Sequence, residues 1–174
     1  MERADGGLTG VARTFRSDEI IVSKTDLEGR ILYANDVFLR VSGFSEAELL
    51  GQPHSLVRHP AMPRCVFKLL WETIGSGKEA FAYMLNRAKN GDEYWVFAHM
   101  TPSFDVTGKI VGYHSSRRLP KLEAVETMAG FYAKMLAEEK RYADRRQGMG
   151  ASTHMMMELF GNVGKPYDEF VFSL

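Results

Sequence analysis

The feature that most constrains the fold is a change in the spacing of apolar residues near the middle of the chain. From there, apolar and polar residues alternate, and turn sequences interrupt the alternation at Asn90-Gly91-Asp92 and at Thr107-Gly108. Alternation with a period of two is typical of β-strands, and an Asn-Gly pair typically closes a hairpin. The sequence therefore predicts an antiparallel meander of three strands over residues 80–88, 93–103 and 109–119.

The part before this meander predicts one hairpin and three short helices. The hairpin strands are expected over 20–23 and 31–34. The helices are indicated by their ends, since Asn35 is a natural N-cap, Gly43 a natural stop and Pro63 a favoured residue just before a first turn. We therefore expect a hairpin that leads into helices before the meander begins.

Together these elements predict an α+β domain with a five-stranded antiparallel sheet and short helices on one face. A chain of 174 residues with 45% hydrophobic content supports one core of ordinary size. We place this domain at residues 15–120, after an N-terminal extension over 1–14. An amphipathic C-terminal helix is expected over 121–147 and a tail over 148–174. A sheet with helices on one face can enclose a pocket between the two layers.

The C-terminal helix is predicted from an apolar stripe opposite Lys, Glu and Arg. Such a face has to be buried on its own domain, on a second copy or on a partner, and the sequence leaves these interpretations open. The closing "YDEFVFSL" predicts an added edge strand, a docking segment or a disordered end. The stripe consists of Leu122, Val125, Met128, Ala129, Tyr132, Met135 and Leu136.

Composition and motifs argue against several classes of protein. The 22 basic and 22 acidic residues leave no net charge, which disfavours nucleic acid as a partner. The single cysteine, Cys65, excludes an internal disulfide and a cysteine-based zinc site. No signal peptide and no apolar run near the ~18 residues of a membrane span is present, so we expect a cytoplasmic protein. No nucleophile-elbow serine, His-x-x-x-His pair or glycine-rich phosphate loop points to an enzyme.

Two stretches resemble a known family. "TDLEGRILYANDVFLRVSGFSEAELLGQPHSLVRHPAMP" and "NRAKNGDEYWVFAHMTP" are similar to PAS sensor domains, and "VRHPAMP" resembles the aerotaxis-receptor branch of that family. The resemblance implies a non-covalently bound FAD whose redox state reports respiratory electron flow, without catalytic turnover. It also implies that the signal passes to a second copy of the chain or to a chemotaxis or signalling protein in trans.

The resemblance, together with side-chain chemistry, nominates a cofactor site. A guanidinium offers fixed donors to a phosphate or carbonyl, and an imidazole exchanges a proton near neutral pH, which suits a ligand that changes charge on reduction. Each candidate also has a plain structural interpretation, such as capping for Asn35 or core packing for Trp71. The candidate residues are Arg58, His59, Trp71, Asn35, Asn86 and Phe81.

Two positions depart from the family pattern and keep other ligands open. Ala61 stands where the family has an acidic residue, and Ala80 stands where a tryptophan is usual, so that Phe81 is expected to supply the stacking contact. The alternatives to a flavin are a haem, a small metabolite, or no ligand at all in a pocket that side chains fill. None of the histidines that could ligate haem has a distinctive spacing; they are His54, His59, His99 and His114.

Overall fold

The computed structural model describes residues 7–174 and contains the expected sheet. All neighbouring strands are antiparallel, and their order across the sheet is β2-β1-β5-β4-β3. The predicted hairpin and meander are confirmed, with ends that differ by up to two residues. The strands are β1 (Ile21–Thr25), β2 (Ile31–Ala34), β3 (Ala80–Arg87), β4 (Glu93–Phe104) and β5 (Ile110–Arg118).

The short helices lie between β2 and β3 in the chain and begin and end for identifiable reasons. The Asn35 side chain accepts hydrogen bonds from the backbone of Phe38 and of Val22 at 3.1 and 3.0 Å, so it caps a helix and ties it to β1. Gly43 ends that helix with a φ of 74°. The elements are α1 (Asp36–Ser42), α2 (Glu46–Leu49), a 3-10 turn (His54–Val57) and α3 (Arg64–Gly75).

The register of the strands decides which side chains face these helices. Asn86 pairs with Tyr94, Ala98 pairs with Arg117, and Ser115 pairs with Ser23. Because successive side chains of a strand point to opposite faces, the strands present matched rows to the helical layer. This inner face carries Ser23, Thr25, Met84, Asn86, Tyr94, Val96, Ala98, Met100, Tyr113, Ser115 and Arg117.

The outer face of β3 and β4 is covered by the C-terminal part of the chain. Helix α4 (Leu122–Lys140) buries Met128, Tyr132 and Met135, and the Tyr132 hydroxyl donates to the Tyr83 carbonyl at 2.7 Å. Three of the seven stripe residues are therefore buried on the chain's own domain, whereas Leu122 is 72% exposed.

The single helix expected over 121–147 is in fact two helices. Helix α4 ends at Lys140, and α5 spans Arg145–Val163. Asp144 separates them because its carboxylate accepts hydrogen bonds from the backbone of Arg146 and Gln147, both at 2.8 Å, and so starts a new helix. The apolar stripe ends at Leu136, before this break, so the hydrophobic pattern did not indicate where the helix ends.

The last segment forms a third helix rather than an edge strand. Helix α6 (Tyr167–Phe172) buries Phe170 and Val171. Phe172 packs edge-on against Phe81 on the outer face of the sheet, with ring centroids 4.4 Å apart. The alternating aromatic residues of this segment therefore lie in a helix of six residues and not in a strand.

The close approach of β5 and β1 gives a first prediction. A Cβ at Gly112 would lie 2.4 Å from the backbone oxygen of Thr25, whereas Gly130, exposed in α4, has open space around it. We expect Gly112→Ala to destabilise the protein by about 1–3 kcal/mol through overpacking. Gly130→Ala should instead stabilise it by about 0.5–1 kcal/mol, because alanine favours helix. Denaturant unfolding of both variants measures this difference, and equal effects would contradict the strand contact.

Candidate functional site

A cavity of about 590 Å³ lies between the inner face of the sheet and the helical layer. This volume is within the range of pockets that hold small molecules and cofactors. Its walls divide into an apolar part and a polar part. The apolar part comprises Phe67, Leu70, Trp71, Ile74, Met84 and Met100, and the polar part comprises Ser23, Thr25, His54, Asn86, Ser115 and Arg117.

Arg117 is the dominant charge at the polar end. Only 2% of its surface is exposed, and no carboxylate within residues 7–174 forms an ion pair with it. It donates to the hydroxyls of Ser115 and Ser23 and to Nε2 of His54, the last at 2.7 Å. Its Nη1 is buried and has no hydrogen-bond partner within the described chain. Burial lowers the pKa of Arg117 to about 10, so it remains a cation at neutral pH.

His54 is the neutral partner of this cation. Burial, followed by the charge of Arg117, lowers the pKa of His54 to about 3. Because Nε2 accepts the hydrogen bond from Arg117, the ring proton has to reside on Nδ1. The ring also stacks on Phe38, with centroids 5.9 Å apart. The polar end therefore presents a fixed cation beside an uncharged imidazole.

The mouth of the cavity is aromatic and basic. Trp71 is 41% exposed and meets the ring of Tyr113 edge-on at 5.4 Å. Arg58 lies over the ring of Phe67, with its guanidinium carbon 4.0 Å from the ring centroid. Gly29 is required beside this wall, because a Cβ there would lie 2.9 Å from the Trp71 ring. Arg64 and Lys68 also line the cavity, as does one acidic residue, Glu28.

The structure brings together three of the six candidate site residues. Arg58, Trp71 and Asn86 line the cavity, and Arg58 forms an isolated antiparallel bridge with Asn86. Asn35 uses its side chain for α1 and for the backbone of β1. Phe81 lies on the outer face of the sheet, stacked on His99 at 4.2 Å.

His59 points away from the cavity, although Arg58 beside it lines the wall. Its Nδ1 accepts from the backbone of Ala61 at 3.1 Å, and its Nε2 lies 3.5 Å from a Glu93 carboxylate oxygen. Burial lowers the pKa of His59 more than Glu93 raises it. In this position the imidazole holds the proline-bounded turn and does not face the ligand space.

The sequence interpretation missed Arg117 and considered His54 only as a haem ligand. One signal was present: in β5 the residues of the core-facing row, Tyr113, Ser115 and Arg117, are polar where a core strand normally carries aliphatic side chains. Polar residues facing inward from a central strand indicate a binding pocket. Which of the two successive arginines faces inward depends on the register.

Within residues 7–174, no cluster of three or more His, Cys, Asp or Glu side chains is placed to hold a metal ion. No helix in the same part of the chain combines the length and hydropathy needed to cross a membrane.

Known sequences resemble part of this chain. The aerotaxis receptor of Escherichia coli is 43% identical over 115 residues, which make up 66% of this chain and 22% of the receptor. The nitrogen fixation regulatory protein of Klebsiella pneumoniae is 30% identical over 99 residues, or 57% of this chain and 20% of that protein. The chain thus spans about a fifth of the length of these curated relatives.

Solved structures of light-oxygen-voltage domains share the fold. One, described in connection with a flavin analogue, superposes with a TM-score of 0.56 at 19% identity and covers 70% of this chain and 86% of its own. The dark structure of the blue-light photoreceptor Aureochrome1 LOV has a TM-score of 0.54 at 26% identity and covers 70% of this chain and 84% of its own.

The family model for the PAS fold matches residues 31–117, which is half of the chain. The matched segment runs from β2 to β5 and so contains both layers that enclose the cavity. On these grounds, and as the residues themselves predicted, the chain belongs to the PAS fold family.

Proposed function

We propose that this chain is a non-catalytic sensor that binds a flavin, FAD, in the cavity and reports its redox state. The observation that carries the proposal is the unpartnered Nη1 of Arg117 at the polar end of a largely apolar cavity. A buried cation without a carboxylate costs several kcal/mol, which a ligand with acceptor groups recovers. The resemblance to the aerotaxis-receptor branch implies the same ligand class, and one solved light-oxygen-voltage structure of this fold was described in connection with a flavin analogue.

The shape and polarity of the walls support a flat ring system with a polar edge. Leu70, Trp71 and Met100 offer apolar surface to the faces of such a ring. Arg117 and Asn86 offer donors to ring carbonyls and ring nitrogens at the edge. A bound flavin supplies reversible redox chemistry with a change of charge on its ring system. Arg117 would stabilise negative charge on the reduced ring system. The neutral His54 holds Arg117 in place, because its Nε2 accepts a hydrogen bond from the guanidinium.

The basic mouth favours a dinucleotide over a mononucleotide. Arg58, Arg64 and Lys68 line the outer end of the cavity, where the phosphates of FAD would leave the protein interior. Guanidinium groups bind phosphate oxygens through paired donors, and a lysine adds a point charge. These side chains therefore support FAD as the form that is bound.

The alternative ligands fit less well. An axial haem ligand needs a free imidazole nitrogen inside the cavity, yet Nε2 of His54 already accepts from Arg117 at 2.7 Å. The other lining histidine, His114, belongs to the strand row opposite to Tyr113 and Ser115. A ligand-free interaction module needs a pocket filled by side chains, and a cavity of about 590 Å³ argues against that. The proposed recipient of the signal is a second copy of the chain or a signalling protein in trans, reached through surfaces other than the buried face of α4.

Flavin binding is tested by the absorption spectrum and the flavin content of the purified protein. Arg117→Met should lower flavin affinity about tenfold or more, because a charge-assisted hydrogen bond is lost. The same change should leave the stability of the flavin-free protein equal or higher, because it removes a buried charge. Arg118→Met, on the exposed neighbour, is the matched control and should alter neither quantity. A folded wild type without flavin absorbance would end the proposal.

A second set of variants distinguishes the role of the cavity mouth in binding from the role of the proline-bounded turn in stability. Trp71→Ala and Arg58→Ala should weaken flavin binding about fivefold or more, since each removes a wall of the cavity. His59→Ala should lower stability by about 0.5–1.5 kcal/mol, because the partly buried backbone N–H of Ala61 loses its acceptor. It should leave the flavin dissociation constant unchanged. The reverse pattern would place His59, and not Trp71, at the ligand.

The lowered pKa of His54 predicts how stability depends on pH. Between its ordinary value of 6.5 and about 3, the unfolded chain binds a proton at His54 that the folded chain does not. Stability should therefore fall as pH drops below 6.5, by up to about 1.4 kcal/mol per pH unit from this residue. His54→Gln keeps an acceptor for Arg117 but cannot titrate. Urea unfolding from pH 7 to pH 4 should show a flatter profile for this variant, and parallel profiles would contradict the assignment.

A further inference from the structure

The α4–α5 pair is attached to the N-terminus of α3 by a buried carboxylate. Glu139, near the end of α4, is 2% exposed, and its Oε1 accepts from the backbone N–H of Cys65 at 3.0 Å. The same oxygen accepts from the hydroxyl of Ser152 on α5 at 2.9 Å. The residue before α3 is Pro63, which has no side-chain acceptor to cap the helix. Glu139 therefore caps α3 from another element and complements the positive end of its dipole.

Two more contacts hold α5 in place. A Cβ at Gly148 would lie 2.5 Å from the carbonyl oxygen of Glu139, so the helices cross at a distance that only glycine permits. Arg64, at the start of α3, donates to the carbonyl of Arg145 at 3.1 Å, and its Nε lies 3.7 Å from Oε2 of Glu139. The start of α3, the end of α4 and the first turn of α5 thus form one junction.

This junction borders the mouth of the cavity. Helix α3 carries Phe67, Leu70 and Trp71, which form its wall, and Arg64 and Lys68, which form its basic rim. From α5, Met149 lines the same cavity and follows directly on the close-packed Gly148. The part of a ligand nearest the mouth would therefore contact both α3 and the α4–α5 pair, which is called the α4–α5 hairpin below.

We propose that the α4–α5 hairpin is the third wall of the ligand site, with Met149 as a contact residue and Glu139 as the positioning residue that docks the hairpin on α3. Ligand binding and hairpin docking are then coupled, and each strengthens the other by the same factor. The coupling rests on the proposed flavin function, whereas the docking by Glu139 does not. The hairpin is thereby the element through which occupancy of the cavity alters the surface of the protein.

The test combines hydrogen exchange of the α5 amides with the dissociation constant of added FAD. In the flavin-free full chain, Glu139→Ala should speed exchange of α5 about tenfold or more, because docking is lost. Glu139→Gln should restore part of the protection, since its amide oxygen still accepts from Cys65.

The control is Glu126→Gln, exposed on the same helix, which should change nothing. If Glu139→Ala fails to fold, Ser152→Ala, which removes one hydrogen bond to Glu139, should show the same change at smaller size.

With FAD added to wild type, we expect slower exchange across α5, and a dissociation constant that rises about fivefold or more in Glu139→Ala. Met149→Ala should raise this constant about threefold while leaving α5 exchange in the flavin-free protein unchanged. A wild type that binds no FAD overturns the proposed function and the coupling together. FAD binding with an affinity indifferent to Glu139→Ala and Met149→Ala overturns the coupling alone. Unchanged α5 exchange in Glu139→Ala overturns the docking role of Glu139.

Discussion

The structure depends on a sheet whose third and fourth strands must be covered on both faces. Ala82 and Val96 face the inner helices, while Tyr83, Trp95 and Phe97 face the opposite side. Apolar side chains on both faces of a strand pair cannot be left in water without a substantial loss of hydrophobic stabilisation. Helices α4 and α6 meet this requirement on the outer face, so the C-terminal helices are part of the domain's own packing.

On the inner face, polar residues of β1 and β5 replace an aliphatic core where the cavity lies. Arg117, Ser23 and His54 bind one another instead of packing aliphatic side chains against α3. Two hydroxyls and a neutral imidazole solvate the guanidinium in part, yet Nη1 remains without a partner in the described chain. A site with this imbalance is better suited to binding a ligand than to stabilising the fold.

Local sequence signals predicted the elements well where the physics is local. Asn35, Gly43 and the Asn90-Gly91 turn act at the positions expected of them, because caps and tight turns depend on a few neighbouring residues. The break between α4 and α5 was not predicted, because the apolar stripe ends at Leu136 and carries no signal for the break. Asp144 starts α5 through two hydrogen bonds that hydrophobic periodicity does not report.

In the candidate site, too, some features follow from local sequence and others depend on the tertiary structure. The sequence alone determined the strand order along the chain, the ends of α1 and α3, and the presence of a basic segment before α3, since these follow from alternation, capping and residue type. Only the tertiary structure decided that Arg58 lines the cavity while His59 turns toward Glu93, and that Arg117 rather than Arg118 is buried. Neighbouring residues in an extended backbone point in opposite directions, and strand register determines which of them meets the pocket. The pairing of Glu139 with α3 likewise arises from segments 74 residues apart, a separation over which no local pattern carries information.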